Sequence, residues 1–150
     1  MPLGPRGAMP VMADPESAAT VREVVDTILP SDEGRTGGLA VGADEHAVAQ
    51  LDLFLPGFPD MAAALLNAYA MSVKPGATFN ELSTEERTQV FREMSTDEAQ
   101  DIREALDAIV LFAMGGTYSE AGGKGERQAT WDDVGYPGPS DGYPEYREGI

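Results

Sequence analysis

The side chains with the most capacity for chemistry are one histidine, His46, and the acids spread over residues 81–107. His46 follows Asp44 and Glu45 directly, a setting that suggests a general base or a metal ligand. A single imidazole in a chain without cysteine makes a poor transition-metal set. Glu45 and His46 are adjacent, so on a helix they point to different faces and cannot form the Glu-x-x-His pair of a di-iron bundle. His46 therefore reads as an ordinary surface or packed histidine. Paired acids could hydrolyse a glycosidic bond. Glu85, Glu86, Asp97 and Glu98, however, stand where a helix N-terminus favours negative charge. Glu93, Asp101, Glu104 and Asp107 fit a solvated helix face.

The glycine clusters are the next candidates. Gly34-Arg35-Thr36-Gly37-Gly38 has neither the Walker spacing nor a Lys-Ser/Thr ending. Gly122-Gly123-Lys124-Gly125 neither follows a strand nor opens a helix, as a dinucleotide loop must. Asp141-Gly142 and Asp32-Glu33-Gly34 lack the repeated acids of a calcium loop. The serines and threonines have no nucleophile elbow and no histidine partner. The sequence thus yields no catalytic, cofactor-binding or metal-binding residue.

Composition narrows the classes further. The chain has 150 residues, enough for one domain, and a net charge of −16 from 26 acids and 10 bases. Nucleic acid requires a cationic face to displace counterions, and anionic membranes require the same. Both are disfavoured, and a basic protein partner is favoured. The lack of cysteine excludes disulfides, thiolate metal sites and iron–sulfur clusters. No apolar run reaches the roughly 18 residues of a membrane helix, so no membrane insertion is expected. Residues 1–13 carry Pro2, Pro5 and Pro10, a single Arg6, and neither an apolar secretory core nor a twin-Arg pair. They read as a disordered leader. A cytoplasmic location follows as the expectation, or a periplasmic one if a signal is removed or carried by a partner.

The elements that would position any site are helical. Asp14 and Pro15 can open a helix whose inner face is Val21, Val24, Val25, Ile28 and Leu29, with Pro30 ending it. A glycine-rich loop follows. The spacing predicts a second helix over 44–55, with Ala47, Val48, Leu51, Phe54 and Leu55 as its stripe. Pro59 opens a third, with Met61, Leu65, Leu66, Tyr69 and Val73 inward, closed by Lys74-Pro75-Gly76. Phe79 and Leu82 stand ready as a hydrophobic staple ahead of the next start. Ser83 with Glu86, and Ser95 with Glu98, have capping-box spacing and predict two further helix starts. The fourth helix would run over 84–94 and the fifth over 96–114, with Ile102, Leu106, Ile109, Val110 and Ala113 inward and Gly115-Gly116 as its stop. The fold expected is all-α: about five helices in a compact bundle over 14–116, with an irregular C-terminal arm over 117–150.

The last twenty residues of that arm hold the only tryptophan and three of the five tyrosines. Pro137, Pro139 and Pro144, with Gly135, Gly138 and Gly142, exclude a helix over its final stretch. Trp131, Tyr136, Tyr143 and Tyr146 either cover the chain's own bundle or anchor a second polypeptide. Both readings stay open on composition alone.

The order of features resembles a known family. Ile28-Leu29-Pro30 closes an amphipathic helix and precedes the acidic glycine-rich loop 31–38. Leu82-Ser83-Thr84-Glu85-Glu86-Arg87 lies mid-chain, and Gly115-Gly116-Thr117-Tyr118-Ser119 follows the last long helix. Trp131 and Val134-Gly135-Tyr136-Pro137-Gly138-Pro139 close the pattern. This is similar to the gluconate 2-dehydrogenase subunit 3 family, small subunits of bacterial flavin-dependent sugar and polyol dehydrogenase complexes. The resemblance implies a non-catalytic, chaperone-like partner of a large FAD-containing subunit of the glucose-methanol-choline (GMC) type, with a cytochrome subunit as a possible third member. FAD would belong to that partner and not to this chain. The implied interface is Tyr118, Trp131, Val134, Gly135, Tyr136, Pro137, Gly138, Pro139, Tyr143 and Tyr146. Two rivals remain on the sequence: an acidic regulator or inhibitor that binds a basic protein surface, and a small carboxylate-based hydrolase or lyase.

Overall fold

The computed structural model describes residues 13–118 and 129–135. The described residues are all-α, with one isolated bridge between Asp32 and Arg35 and no strand. Helix α1 spans Pro15–Ile28, α2 Ala43–Phe54, α3 Phe58–Val73, α4 Thr84–Ser95, α5 Gln100–Tyr118, and a short α6 Ala129–Asp133. Two 3-10 turns, Gly38–Val41 and Phe79–Glu81, link them. The leader expected at the N-terminus and the end of the arm lie outside the described residues.

One core serves all five long helices. Val24 of α1, Leu51 of α2, Leu66 and Ala70 of α3, Val90 and Met94 of α4, and Leu106 and Ile109 of α5 are buried together. Phe79 and Leu82, from the turn before α4, join them. Phe79 is fully buried and tilts against Phe91, with ring centroids 5.7 Å apart. Burying such a ring is worth about 2–3 kcal/mol. A smaller cluster of Val25, Ala43 and Ala113 lies where α1, α2 and α5 meet. Helix α2 makes its most extensive packing with α5.

Among the described residues, Arg87 is the one strongly basic group in this interior. It is nearly buried, and its guanidinium donates to three groups at once. Nε donates to the Phe79 carbonyl at 3.3 Å, Nη2 to the Asn80 carbonyl at 2.8 Å, and Nη1 to Glu23 Oε2 of α1 at 2.5 Å. The planar fork also lies 5.6 Å from the centroid of the Phe79 ring. A planar guanidinium can satisfy this set and an ammonium cannot.

Several helix boundaries follow the expected signals. Pro15 sits at the start of α1, but the Asp14 side chain does not cap it. Asp14 instead donates its backbone N–H to Asp60 Oδ1 at 3.2 Å. Ser83 and Glu86 form the reciprocal capping box at 3.2 and 2.8 Å. A second reciprocal pair joins Thr78 and Glu81, whose carboxylate takes the Thr78 N–H at 2.7 Å.

Five further expectations are corrected. Ser95 does not open α5; it is the last residue of α4, and its hydroxyl donates to the Arg92 carbonyl at 2.8 Å. Asp97 instead accepts the Ala99 N–H at 2.8 Å, and α5 begins at Gln100. Gly115-Gly116 does not stop α5, which continues to Tyr118 because Thr117 packs inward and is buried. Phe54 and Leu55 do not face the core: α2 buries Ala43, Ala47, Leu51 and Asp52, and its last turn projects past the bundle. Met61 is likewise exposed, since α3 buries Ala62, Ala63 and Leu66. The arm is not irregular throughout, because residues 129–133 precede the first arm proline and form α6.

Two predictions come from this framework. Arg87→Met strands the Asn80 carbonyl and the Glu23 carboxylate and leaves the Phe79 carbonyl with only the Leu82 N–H at 3.2 Å. Glu23 is partly exposed and regains water, so the cost falls below that of a fully buried pair, at about 2–3 kcal/mol. Arg87→Lys is expected to recover less than half of it, and urea unfolding monitored by circular dichroism measures both.

The second concerns Tyr69, whose hydroxyl donates to Asp97 across the α3 to α4–α5 junction. That bond and the Ala99 N–H hold Asp97 below its usual 3.8, so its contribution to stability is present above 3.8 and lost as pH falls through the folded value. The same bond, then burial and the Asp97 charge, push Tyr69 up to about 12, so its contribution is present below 10.0 and lost as pH rises toward 12. The stability gap between wild type and Tyr69→Phe should stay flat from pH 4 to 10 and narrow on both sides. Unfolding curves across pH give the answer.

Candidate partner interface

Several of the acids are committed to structure. Glu81 and Glu86 close capping boxes, and backbone N–H bonds from Thr78 and Ser83 hold their carboxyls below the usual range. Asp52 is buried and takes the Gly57 N–H at 2.9 Å, which fixes the turn into α3. Glu23 binds Arg87, Asp44 pairs with Arg22 at 3.2 Å, and Glu93 receives Ser72 at 2.8 Å. Half-buried His46 lies against Gly116, where a Cβ would come within 3.0 Å of its ring. Among the described residues, no three of His, Asp and Glu are grouped to hold a metal ion.

A cleft of about 240 Å³ opens on the opposite logic, lined by mixed apolar and charged groups. Ile28, Leu29 and Pro30 at the end of α1 form one side. Asp32, Arg35 and Thr36 of the glycine-rich loop form the rim. Tyr118, Asp133 and Val134 complete it from the C-terminal side. Three segments far apart in sequence thus line a single opening.

Their meeting has specific causes. The Gly38 N–H donates to the Leu29 carbonyl at 2.8 Å, and the Gly37 N–H to Ser31 Oγ at 3.1 Å, which folds the loop back on α1. The loop then seats against α5 at a glycine. A Cβ on Gly38 would lie 2.6 Å from Val25 Cγ1 and 2.9 Å from Thr117 Oγ1. Gly116 meets α2 in the same way: a Cβ there would lie 3.0 Å from the Ala43 carbonyl oxygen. The Thr117 hydroxyl is satisfied by the Ala113 carbonyl at 2.9 Å. Finally, Asp133 Oδ2 accepts the Thr36 N–H at 2.7 Å and ties α6 to the loop. Thr130 of α6 is buried, and Trp131 is half-buried.

Of the ten interface residues expected from sequence, four are described. Tyr118 ends α5 and is 45% exposed; Val134 is 61% exposed; both line the cleft. Trp131 is half-buried on α6, and Gly135 turns the chain after it with φ of 67°. Tyr136, Pro137, Gly138, Pro139, Tyr143 and Tyr146 lie outside the described residues. Sequence reasoning missed Asp133 and Thr36, because a side-chain bond to a distant backbone N–H leaves no local pattern. It also missed the exposed apolar residues Leu53, Leu111 and Met114, which interrupt no periodicity.

The chain matches the family model described as gluconate 2-dehydrogenase subunit 3 over residues 15–138. It belongs to that family. The match covers every long helix, the cleft and the start of the arm. The family's name is that of a subunit of a gluconate 2-dehydrogenase complex, so family membership implies an oxidoreductase partner. No curated protein and no solved structure matches the chain. No helix among the described residues is long and apolar enough to cross a membrane.

Removing the Asp133 carboxylate tests the latch between α6 and the loop. Asp133→Ala is expected to expose Trp131, the only tryptophan, and shift its fluorescence emission to longer wavelength. The helical circular-dichroism signal should hold, because the long helices do not depend on that bond.

Proposed function

We propose that this chain is a non-catalytic small subunit that binds and stabilises a large FAD-dependent oxidoreductase subunit of the glucose-methanol-choline type, acting on CH–OH groups of sugars or related compounds. FAD belongs to that partner. The observation that carries the reading is the convergence of exposed Tyr118 and Val134 on one cleft in a chain whose family is named for a dehydrogenase subunit. Exposed aromatic and aliphatic anchors beside a preformed cleft are the kind of feature that seats a partner segment. The acids support the same reading in part, since Glu23, Asp44, Asp52, Glu81, Glu86 and Asp97 have the ion-pair, turn and capping roles already described.

In this reading the helical body over 14–116 is a scaffold, and residues 117–150 dock. The tyrosines and prolines of the arm, from Tyr136 to Tyr146, extend the contact that Tyr118 and Val134 begin. Prolines between the aromatics lower the entropy lost on binding, which suits a wrapping segment.

Co-expression of the large subunit with and without this chain tests the proposal. With the chain present, the large subunit should be soluble and show flavin absorbance; without it, yield and flavin content should fall severalfold. A chain ending at Gly135 should keep its helical signal and fail to co-purify. A large subunit that is equally soluble, flavin-loaded and active alone overturns the proposal.

A further inference from the structure

The outward face of α5 changes character along its length. Its exposed positions at three- and four-residue spacing are Asp101, Glu104, Asp107, Leu111, Met114 and Tyr118. The first three are acidic and the last three apolar. Leu111 is 66% exposed, Met114 and Tyr118 each 45%. Between them Gly115 meets nothing within 4 Å of an added Cβ, so a neighbouring backbone can approach closely there. Beside the apolar half, Phe54 is 79% exposed and tilts against Phe112 with centroids 6.1 Å apart, which widens the surface.

Positions 104, 107, 111, 114 and 118 alternate steps of three and four, the spacing of a seam between two helices. Among the described residues this stripe faces solvent, because α5 buries Ala105, Leu106, Ile109 and Ala113 on its inner side. We infer that the outer face of α5 docks an amphipathic helix of the large subunit. That helix presents apolar side chains to Leu111, Met114 and Tyr118, and lysine or arginine to Asp101, Glu104 and Asp107. The seam from Glu104 to Tyr118 is about 21 Å long, four turns of such a helix.

Charge selects this occupant over a second copy of the chain. Two copies at −16 each repel on approach, whereas a cationic helix end is drawn to the acidic half. The stripe ends at Tyr118, which also lines the cleft, so one continuous surface joins the two. The inference rests on the large subunit being the partner and adds a second contact region, on a helix instead of the arm.

The test uses the full chain and the large subunit. Leu111→Glu with Met114→Glu is expected to weaken association about tenfold or more while the thermal melt holds. Glu104→Lys with Asp107→Lys should weaken it severalfold at low salt and much less at high salt. Met71→Glu, an exposed apolar position on α3, should leave binding within twofold. The chain has no cysteine, so Met114→Cys supplies a unique thiol for cross-linking. The expected product joins it to a helix of the large subunit near lysine or arginine.

Binding within twofold of wild type by the Leu111 and Met114 double variant overturns the inference and leaves the proposed function standing. A cross-link only to a second copy, or none to the large subunit in the intact complex, overturns it as well. Failure of the unaltered chain to bind the large subunit overturns both.

Discussion

The bundle is organised around one guanidinium. Arg87 of α4 reaches the carbonyls of Phe79 and Asn80 in the preceding turn and the Glu23 carboxylate of α1, while its plane lies against the Phe79 ring. Phe79 is fully buried, so the group that satisfies its carbonyl also fixes the largest side chain of the core. Helices α1 and α4 are far apart in sequence and meet through this fork. A buried ionised group is costly unless each donor is matched, and the surrounding carbonyls supply most of the match. Without the fork, the turn holding Phe79 would keep its Thr78–Glu81 pair and the Phe79 N–H bond to Asn67 but lose its tie to α1.

Much of the architecture was legible in the sequence because it rests on local rules. Ser83 and Glu86 sit three apart before an apolar periodic run, and only one geometry satisfies both. Pro15 and Lys74-Pro75-Gly76 mark ends for equally local reasons. The errors come where two local rules compete. Ser95 and Glu98 have the spacing of a cap, but Ser95 bonds back to Arg92 and prolongs α4, while Asp97 is taken by Tyr69 and Ala99. Gly115-Gly116 carries a stop signal, yet the buried neighbour Thr117 holds the helix together beyond it. Leu53, Phe54 and Leu55 precede a proline at the edge of the bundle, where three consecutive apolar residues cannot all turn inward.

The candidate interface was legible in its parts and not in its assembly. Ile28-Leu29-Pro30, Tyr118 and Val134 stand out as residues in a recognisable order. That they line one cleft depends on Gly38 and Gly116, whose missing side chains let three helices and a loop come together. A glycine needed for space looks in sequence like a glycine needed for a turn. The role of Asp133 is similarly silent, since its partner is a backbone N–H on a different segment.

That bond has a consequence for the order of events as the chain is made. Thr36 and Asp133 are separated by 97 residues, a very long loop to close. Closing it costs chain entropy that grows only slowly with length, yet the contact cannot form before both ends exist. A nascent chain can assemble α1 to α5 with most of the core in place while one wall of the cleft is still missing. The scaffold therefore matures first and the cleft last. A partner that reads the finished cleft, as proposed above, would meet a chain whose helical core is already in place.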